Sequence, residues 1–252
     1  MDHFPLLVGA GFVAGAMNAL AGGGSFVSLP AFIGAGIPSV QANASSTVAL
    51  FPGGLASAWT YHKRLGSVCG VGMPRLLVAT VVGGLAGGLL LLWTPTAVFN
   101  LVLPWLLLLA TLAMAFARRI GAALRGRLRI GAGAVLAVQS VLGVYGGYFG
   151  GAVGLMMVAC WSVIGEADIK ALNAPRTLLV SATNAVAALT FILARAVRWP
   201  ETLAALAGGL LGGYVGARLG RTLPPGLTRA VTLACTAGIT AVFFIRSYRL
   251  LG

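Results

Sequence analysis

Residues 11–32 read GFVAGAMNALAGGGSFVSLPAF, an apolar run interrupted by Gly22, Gly23 and Gly24, then by Ser25 and, five residues further, by Pro30. Glycine has little helical preference, and proline lacks an N–H and crowds the preceding turn, so this pattern breaks a helix. Within a bilayer, the backbone groups freed by a break are tolerated only where protein or a water-filled cavity satisfies them. A polar site is the natural reason to keep such a break. The N–H groups and dipole of the helix that restarts after it would attract an anion.

The surrounding sequence is suited to lipid. Of 252 residues, 59% are hydrophobic and only 8% charged, where soluble domains carry about 25% charged residues. Apolar segments start near residues 5, 41, 72, 97, 130, 171, 202 and 228. The first and fifth run for roughly 30 residues, longer than the 20 or so that cross a bilayer. The expected fold is therefore all-α: a polytopic integral membrane protein of about eight transmembrane helices, with the first helix of each half broken. The segment from Phe4 to Leu20 has no cationic flank and leads straight into more apolar sequence, so it reads as a span and not as a signal peptide. Cys69, Cys160 and Cys235 form no ligand pattern, and no metal or cofactor is expected.

The formal charge of +13 comes from 17 Lys and Arg against 4 acids, placed at segment ends. That placement sets orientation in a bilayer, and nucleic acid is set aside as a partner. With eight spans, the loops after the second, fourth and sixth segments share a face with both termini. That face carries Lys63, Arg64, Arg75, Arg118, Arg119, Arg125, Arg127, Arg129, Arg195, Arg198, Arg246 and Arg249; the other carries Lys170, Arg218, Arg221 and Arg229. The expectation is an inner-membrane protein with both termini cytoplasmic.

Two halves, 1–128 and 129–252, match at an offset near 130. Gly24 pairs with Gly154, Asn43 with Asn173 and Thr47 with Thr177, while VVGGLAGG at 81–88 resembles LLGGYVGA at 210–217. Four spans per half leave the halves parallel; if the broken segments turn back as re-entrant hairpins, an inverted pair results instead. The second half has its own glycine-rich break, GVYGGYFGGAVGL at 143–155, with Gly151 and Gly154 opposite the first. The glycines at 83, 84, 87, 212, 213 and 216 read as helix-packing positions.

The segments after the breaks, QANASSTVALFPGG (41–54) and ALNAPRTLLVSATN (171–184), are polar along one helical face. Asn43, Ser46 and Thr47 stand on one stripe and Asn173, Arg176 and Thr177 on the other, so the two could frame one cavity. The candidate substrate-binding set is Gly22, Gly23, Gly24, Ser25, Asn43, Ser46, Thr47, Gly151, Gly154, Asn173, Arg176 and Thr177. Arg176 lies deepest in apolar sequence and wants a counter-charge, supplied by a transported anion or by Asp168. Asp2, Glu166, Asp168 and Glu201 all fall at segment ends, which disfavours a buried carboxylate relay. A serine hydrolase built from Ser25 and His62 lacks any second signature, and no enzyme activity is expected.

The pattern Gly15, Gly22-Gly23-Gly24-Ser25, Pro30, Gly36-Ile37-Pro38, Ala42-Asn43, Thr47 and Pro52-Gly53, with Gly146 to Gly154 and Asn173-Ala174-Pro175-Arg176 in the second half, resembles the sulfite exporter TauE/SafE family. The likeness covers nearly the whole chain. Two positions depart from it: Arg176 stands where a lysine is usual, and Val153 where glycine is frequent. The resemblance implies a bacterial membrane protein of seven to nine spans that exports or imports sulfur-containing anions such as sulfite, sulfoacetate or thiosulfate. The expected function is a secondary transporter of a small anion, with an anion channel or a carrier of another small organic solute as alternatives. Its partners are that anion and the lipid bilayer, with a homodimer left open.

Overall fold

The computed structural model describes residues 3–61, 67–123, 131–164, 172–220 and 222–249, which form ten helices. In order these are α1 (Phe4–Ala21), α2 (Ser25–Gly34), α3 (Ser39–Tyr61), α4 (Met73–Trp93), α5 (Thr96–Ala123), α6 (Ala132–Tyr148), α7 (Val153–Ile164), α8 (Asn173–Leu193), α9 (Trp199–Leu219) and α10 (Pro225–Arg249). Five stretches, 73–93, 96–116, 173–193, 199–219 and 226–248, are each long and apolar enough to cross a membrane. Val78, Val82, Leu189, Leu211 and Val231 are exposed on them, as lipid-facing side chains must be. Trp93 and Trp199 stand exposed at helix ends, the depth favoured by amphipathic aromatic rings. The chain is a multi-pass membrane protein.

The eight expected segments resolve into ten helices because the first and fifth each turn back on themselves. Gly22 adopts φ +78° and its N–H closes onto the carbonyls of Met17 and Asn18, a glycine turn that ends α1. A Cβ on Gly24 would lie 3.0 Å from the Asn18 Cβ and beside the Ala14 carbonyl. In a continuous helix ten residues separate positions by about 15 Å, so the chain has reversed. The expected break is thus a helical hairpin, and Pro30 sits inside α2 instead of unwinding it. The α6–α7 turn repeats the device with Gly150 at φ +79° and Ala152 at φ +56°, bringing Val153 back against Gly146.

Helix directions follow from which residues meet. Gly208, Gly212 and Gly216 lie against the backbone of Val8, Phe12 and Ala16, so α1 and α9 run parallel. Gly83 and Gly87 likewise meet Ser140 and Val144, so α4 and α6 run parallel. Glycine at every contact lets the backbones approach closely, and in lipid that packing replaces the hydrophobic drive absent between apolar helices. Buried hydroxyls and amides add cross-links: Ser28 Oγ to Ser46 Oγ at 2.6 Å, Gln139 Nε2 to Thr80 Oγ1 at 2.8 Å and Thr111 Oγ1 to Thr240 Oγ1 at 3.0 Å.

One side of the bundle, here the terminal face, gathers the starts of α1, α3 and α9 with the ends of α4, α6, α8 and α10. Arg198 N–H at the start of α9 donates to Ser45 Oγ near the start of α3 at 3.0 Å. Asn43 Nδ2 donates to Tyr148 O at the end of α6 at 2.9 Å, and Tyr148 Oη reaches Thr94 Oγ1 beyond the end of α4 at 3.3 Å. Helix α10 runs antiparallel to α5: Ser247 meets Asn100, while Arg229 meets Ala115. Segments that correspond at the 130-residue offset therefore point in opposite directions, α1 against α6 and α3 against α8. The expected parallel arrangement rests on a count of four spans per half, and each hairpin adds one reversal to that count.

The expected grouping of loops changes with it. Helix α3, 23 residues and about 34 Å long, leaves the terminal face and ends on the other, so the end of α3 lies opposite the start of α1 and the end of α10. Lys63, Arg64, Arg125, Arg127, Arg129, Lys170 and Arg221, and also Asp2, His62, Glu166 and Asp168, lie outside the described residues.

Candidate functional site

Inside the bundle is a cavity of about 560 Å³ bounded by α1, α3, α5, α7, α8 and the turn from α9 to α10. The hairpin tips reach it from two directions, Gly22 and Ser25 from the first, Gly150, Ala152, Val153 and Gly154 from the second. Between them α3 contributes Thr47, Leu50 and Gly54, and α8 contributes Asn173, Arg176, Thr177, Ser181 and Asn184. Asn18, Met114, Gly220, Leu223, Thr228 and Arg229 complete the wall toward the face opposite the termini. A second cavity of about 380 Å³ between α1, α3 and α9 shares Asn18, Ala19 and Leu50 with it and has no charged residue among its described lining.

Seven of the twelve candidate residues meet at the larger cavity: Gly22, Ser25, Thr47, Gly154, Asn173, Arg176 and Thr177. The other five lie behind it. Gly23 is buried against Met114 and Thr232, Gly24 against Asn18 and Leu50, and Gly151 against the Phe149 ring. Asn43 is buried and spends its amide on Tyr148 O, fixing α3 to the second hairpin. Ser46 is buried against Ser28, tying α3 to α2. The polar stripe on α3 thus divides: Thr47 faces the cavity, while Asn43 and Ser46 hold the hairpins in place.

The local sequence explains each position. Thr47 and Thr177 each turn the hydroxyl proton back onto the carbonyl four residues earlier, Asn43 O at 2.9 Å and Asn173 O at 2.8 Å, leaving oxygen lone pairs for the cavity. Gly154 has no side chain where the Arg176 stem passes: a Cβ there would lie 3.3 Å from Arg176 Cγ and Cδ. The αL turns at Gly22 and Gly150 let backbone, not side chain, form the tips.

The electrostatics follow from the helix ends. Helices α2, α7, α8 and α10 begin at the wall, while α1, α6 and α9 end there. At each hairpin a helix end and a helix start lie side by side, and their dipoles largely offset. What remains are the N-terminal ends of α8 and α10, which carry partial positive charge, set against the single C-terminal end of α9. Arg176 and Arg229 add formal positive charge, and no acidic residue stands among the described lining residues. Arg176 is half-buried and has an interaction partner; Asp168, the alternative counter-charge, lies outside the described residues. Such a chamber is suited to hold a small anion by N–H and guanidinium donors, with Thr, Ser and Asn side chains to orient it.

Arg229 and Asn18 are two lining residues that stand outside the twelve candidates. Arg229 read as a loop cation; the signal was Pro224-Pro225, which starts α10 and sets Arg229 one turn inside it. Asn18 stands four residues before Gly22 on the face that turns into the hairpin.

The sequence family described as Sulfite exporter TauE/SafE matches residues 7–243. A Haemophilus influenzae protein named "Probable membrane transporter protein" is 30% identical over 216 residues, covering 84% of this chain and 82% of its own. The Escherichia coli K12 protein "Probable membrane transporter protein YfcA" is 27% identical over 212 residues, 82% of this chain and 78% of its own. A Sinorhizobium protein, "Probable membrane transporter protein ORF9", is 28% identical over 204 residues, 80% and 77% of the two chains. No solved structure matches.

Proposed function

Because this chain belongs to the sulfite exporter TauE/SafE family, we propose that it is a secondary transporter carrying a small anion, a sulfur-containing oxyanion by the family's description, across a bacterial inner membrane. The observation that carries the reading is the cavity itself, lined by two arginines and by helix starts, with no acid among its described residues. The two halves, 1–128 and 129–252, act in this reading as inverted repeats around that cavity.

Alternating access is supported by the asymmetry of the two sides. The cavity extends to Gly220, Leu223, Thr228 and Arg229. The positions related to these by the 129-residue offset are Leu91, Thr94, Phe99 and Asn100, on the way to the terminal face. There Leu91 and Phe99 are fully buried, the Tyr148 and Phe99 ring centroids are 5.8 Å apart, and Tyr148 Oη meets Thr94. The cavity reaches one set of positions, while Leu91 and Phe99 of the related set are packed, which supports a carrier over the second reading, an anion channel. Exchanging the two packings would open the cavity to the other side.

Orientation follows from charge and helix direction together. The side opposite the termini has Arg75, Arg118, Arg119, Arg218 and Arg229 at its helix ends, and the sequences joining those ends add Lys63, Arg64, Arg125, Arg127, Arg129, Lys170 and Arg221. The terminal face has Arg195, Arg198, Arg246 and Arg249. The positive-inside rule then makes the terminal face periplasmic, reversing the orientation expected from eight segments. A C-terminal alkaline phosphatase fusion is expected to be active and a green fluorescent protein fusion dark; a fluorescent, phosphatase-negative pair would restore the cytoplasmic assignment.

Binding is the direct test of the transporter reading. Detergent-purified protein is screened by thermal shift with sulfite, sulfate, thiosulfate, sulfoacetate, taurine and carboxylates. At a hundredfold excess over Kd a ligand stabilises the folded state by about 2.7 kcal/mol, enough to raise the midpoint by a few degrees. At least one sulfur oxyanion is expected to do so. Silence from every anion, with a shift from a neutral or cationic solute, would overturn the reading.

A further inference from the structure

We propose that Arg229 is a second anion-binding residue of the cavity and that it reads a second negative charge on the substrate. The inference rests on the transporter reading and adds to it the charge of the substrate and the residue that reads it.

Arg229 lies one turn into α10, half-buried in the cavity wall. Its Nη2 donates to Ala115 O at 2.7 Å and, at 3.4 Å, to Met114 O, both on α5. These acceptors are neutral carbonyls, so they fix the guanidinium plane without cancelling its charge. A guanidinium has five N–H donors in a rigid fork; with Nη2 so engaged, Nε and Nη1 remain to meet an oxyanion. Arg176 and Arg229 are the titratable residues among the described lining. Arg176 has an interaction partner of its own, whereas Arg229 is bonded to neutral carbonyls, so Arg229 is the residue whose charge answers a second charged end on the anion. The cavity's 560 Å³ leaves room for a ligand longer than a single oxyanion. At the position related by the 129-residue offset stands Asn100, which is uncharged, so the second cation is confined to the side where the cavity extends.

The test compares two probes that differ by one carboxylate, sulfoacetate and methanesulfonate, by titration calorimetry on the full chain in detergent. Arg229→Gln removes the charge while keeping an amide donor for the α5 carbonyls; Arg229→Lys returns the charge without the fork. Wild type is expected to prefer sulfoacetate. Arg229→Gln is expected to lose about tenfold in sulfoacetate affinity, the scale of one charge-assisted hydrogen bond. Methanesulfonate affinity should change less than about twofold, and Arg229→Lys should recover part of the sulfoacetate loss. Equal losses for both probes, or none, would overturn the assignment. Wild type binding neither probe would overturn it too, whereas the transporter reading falls only if the wider anion screen is also silent. Thermal midpoints without ligand are compared for all three proteins, and a loss of sulfoacetate preference at unchanged midpoint supports a role in binding over one in folding.

Discussion

Gly212→Val is expected to leave little folded protein. Gly212 sits at the centre of the α1–α9 contact, and any Cβ there would run into the backbone carbonyl of Phe12. A side-chain obstruction could rotate away; a helix backbone cannot move without parting the two helices along their length. Overpacking in a well-fitted core costs about 1–3 kcal/mol, and the rigid obstruction puts this case at the upper end, about 3 kcal/mol. The neighbouring Gly213 is the control, since its nearest neighbour to an added Cβ is Gly15 O at 3.8 Å, ordinary contact. Size-exclusion chromatography and thermal midpoints should show Gly213→Ala near wild type and Gly212→Val aggregated or strongly destabilised. Equal behaviour of the two would refute the close α1–α9 backbone contact.

Arg176→Gln is expected to cut affinity for the transported anion by about a hundredfold, the upper range for a charge-assisted hydrogen bond. The residue lies at the cavity wall within the first turn of α8, where its charge and the helix start act on the same ligand. Because Arg176 has a partner of its own, the ligand-free midpoint is measured alongside. The conservative Arg176→Lys keeps the charge and should retain much of the binding. A glutamine variant that folds and binds like wild type would remove Arg176 from the site.

Composition and segment length made the membrane class readable from sequence, and the glycine clusters marked both helix breaks and both tight helix pairs. What stayed hidden was direction. A run of glycines frees the backbone to kink or to reverse, and hydropathy is the same either way; only the contact of Gly24 with Asn18 distinguishes them. That one ambiguity carried through to the parity of the halves and to the face assigned to each loop. In the site, helical spacing sets Asn43, Ser46 and Thr47 on one stripe of α3, but spacing does not reveal which polar group a neighbour consumes. Tyr148 O and Ser28 take Asn43 and Ser46. Arg176 was found because a cation in apolar sequence is costly, while Arg229 was missed because it stands near a proline-marked helix start and looked interfacial.

A carrier exposes one anion site alternately to the two sides of the membrane. Proteoliposomes loaded with unlabelled substrate anion, diluted into buffer with a trace of labelled anion, give the most direct reading. Alternating access predicts saturable uptake that internal anion accelerates, with label transiently above its external level. Uptake that rises linearly with concentration and gains nothing from internal anion would contradict it and identify a channel.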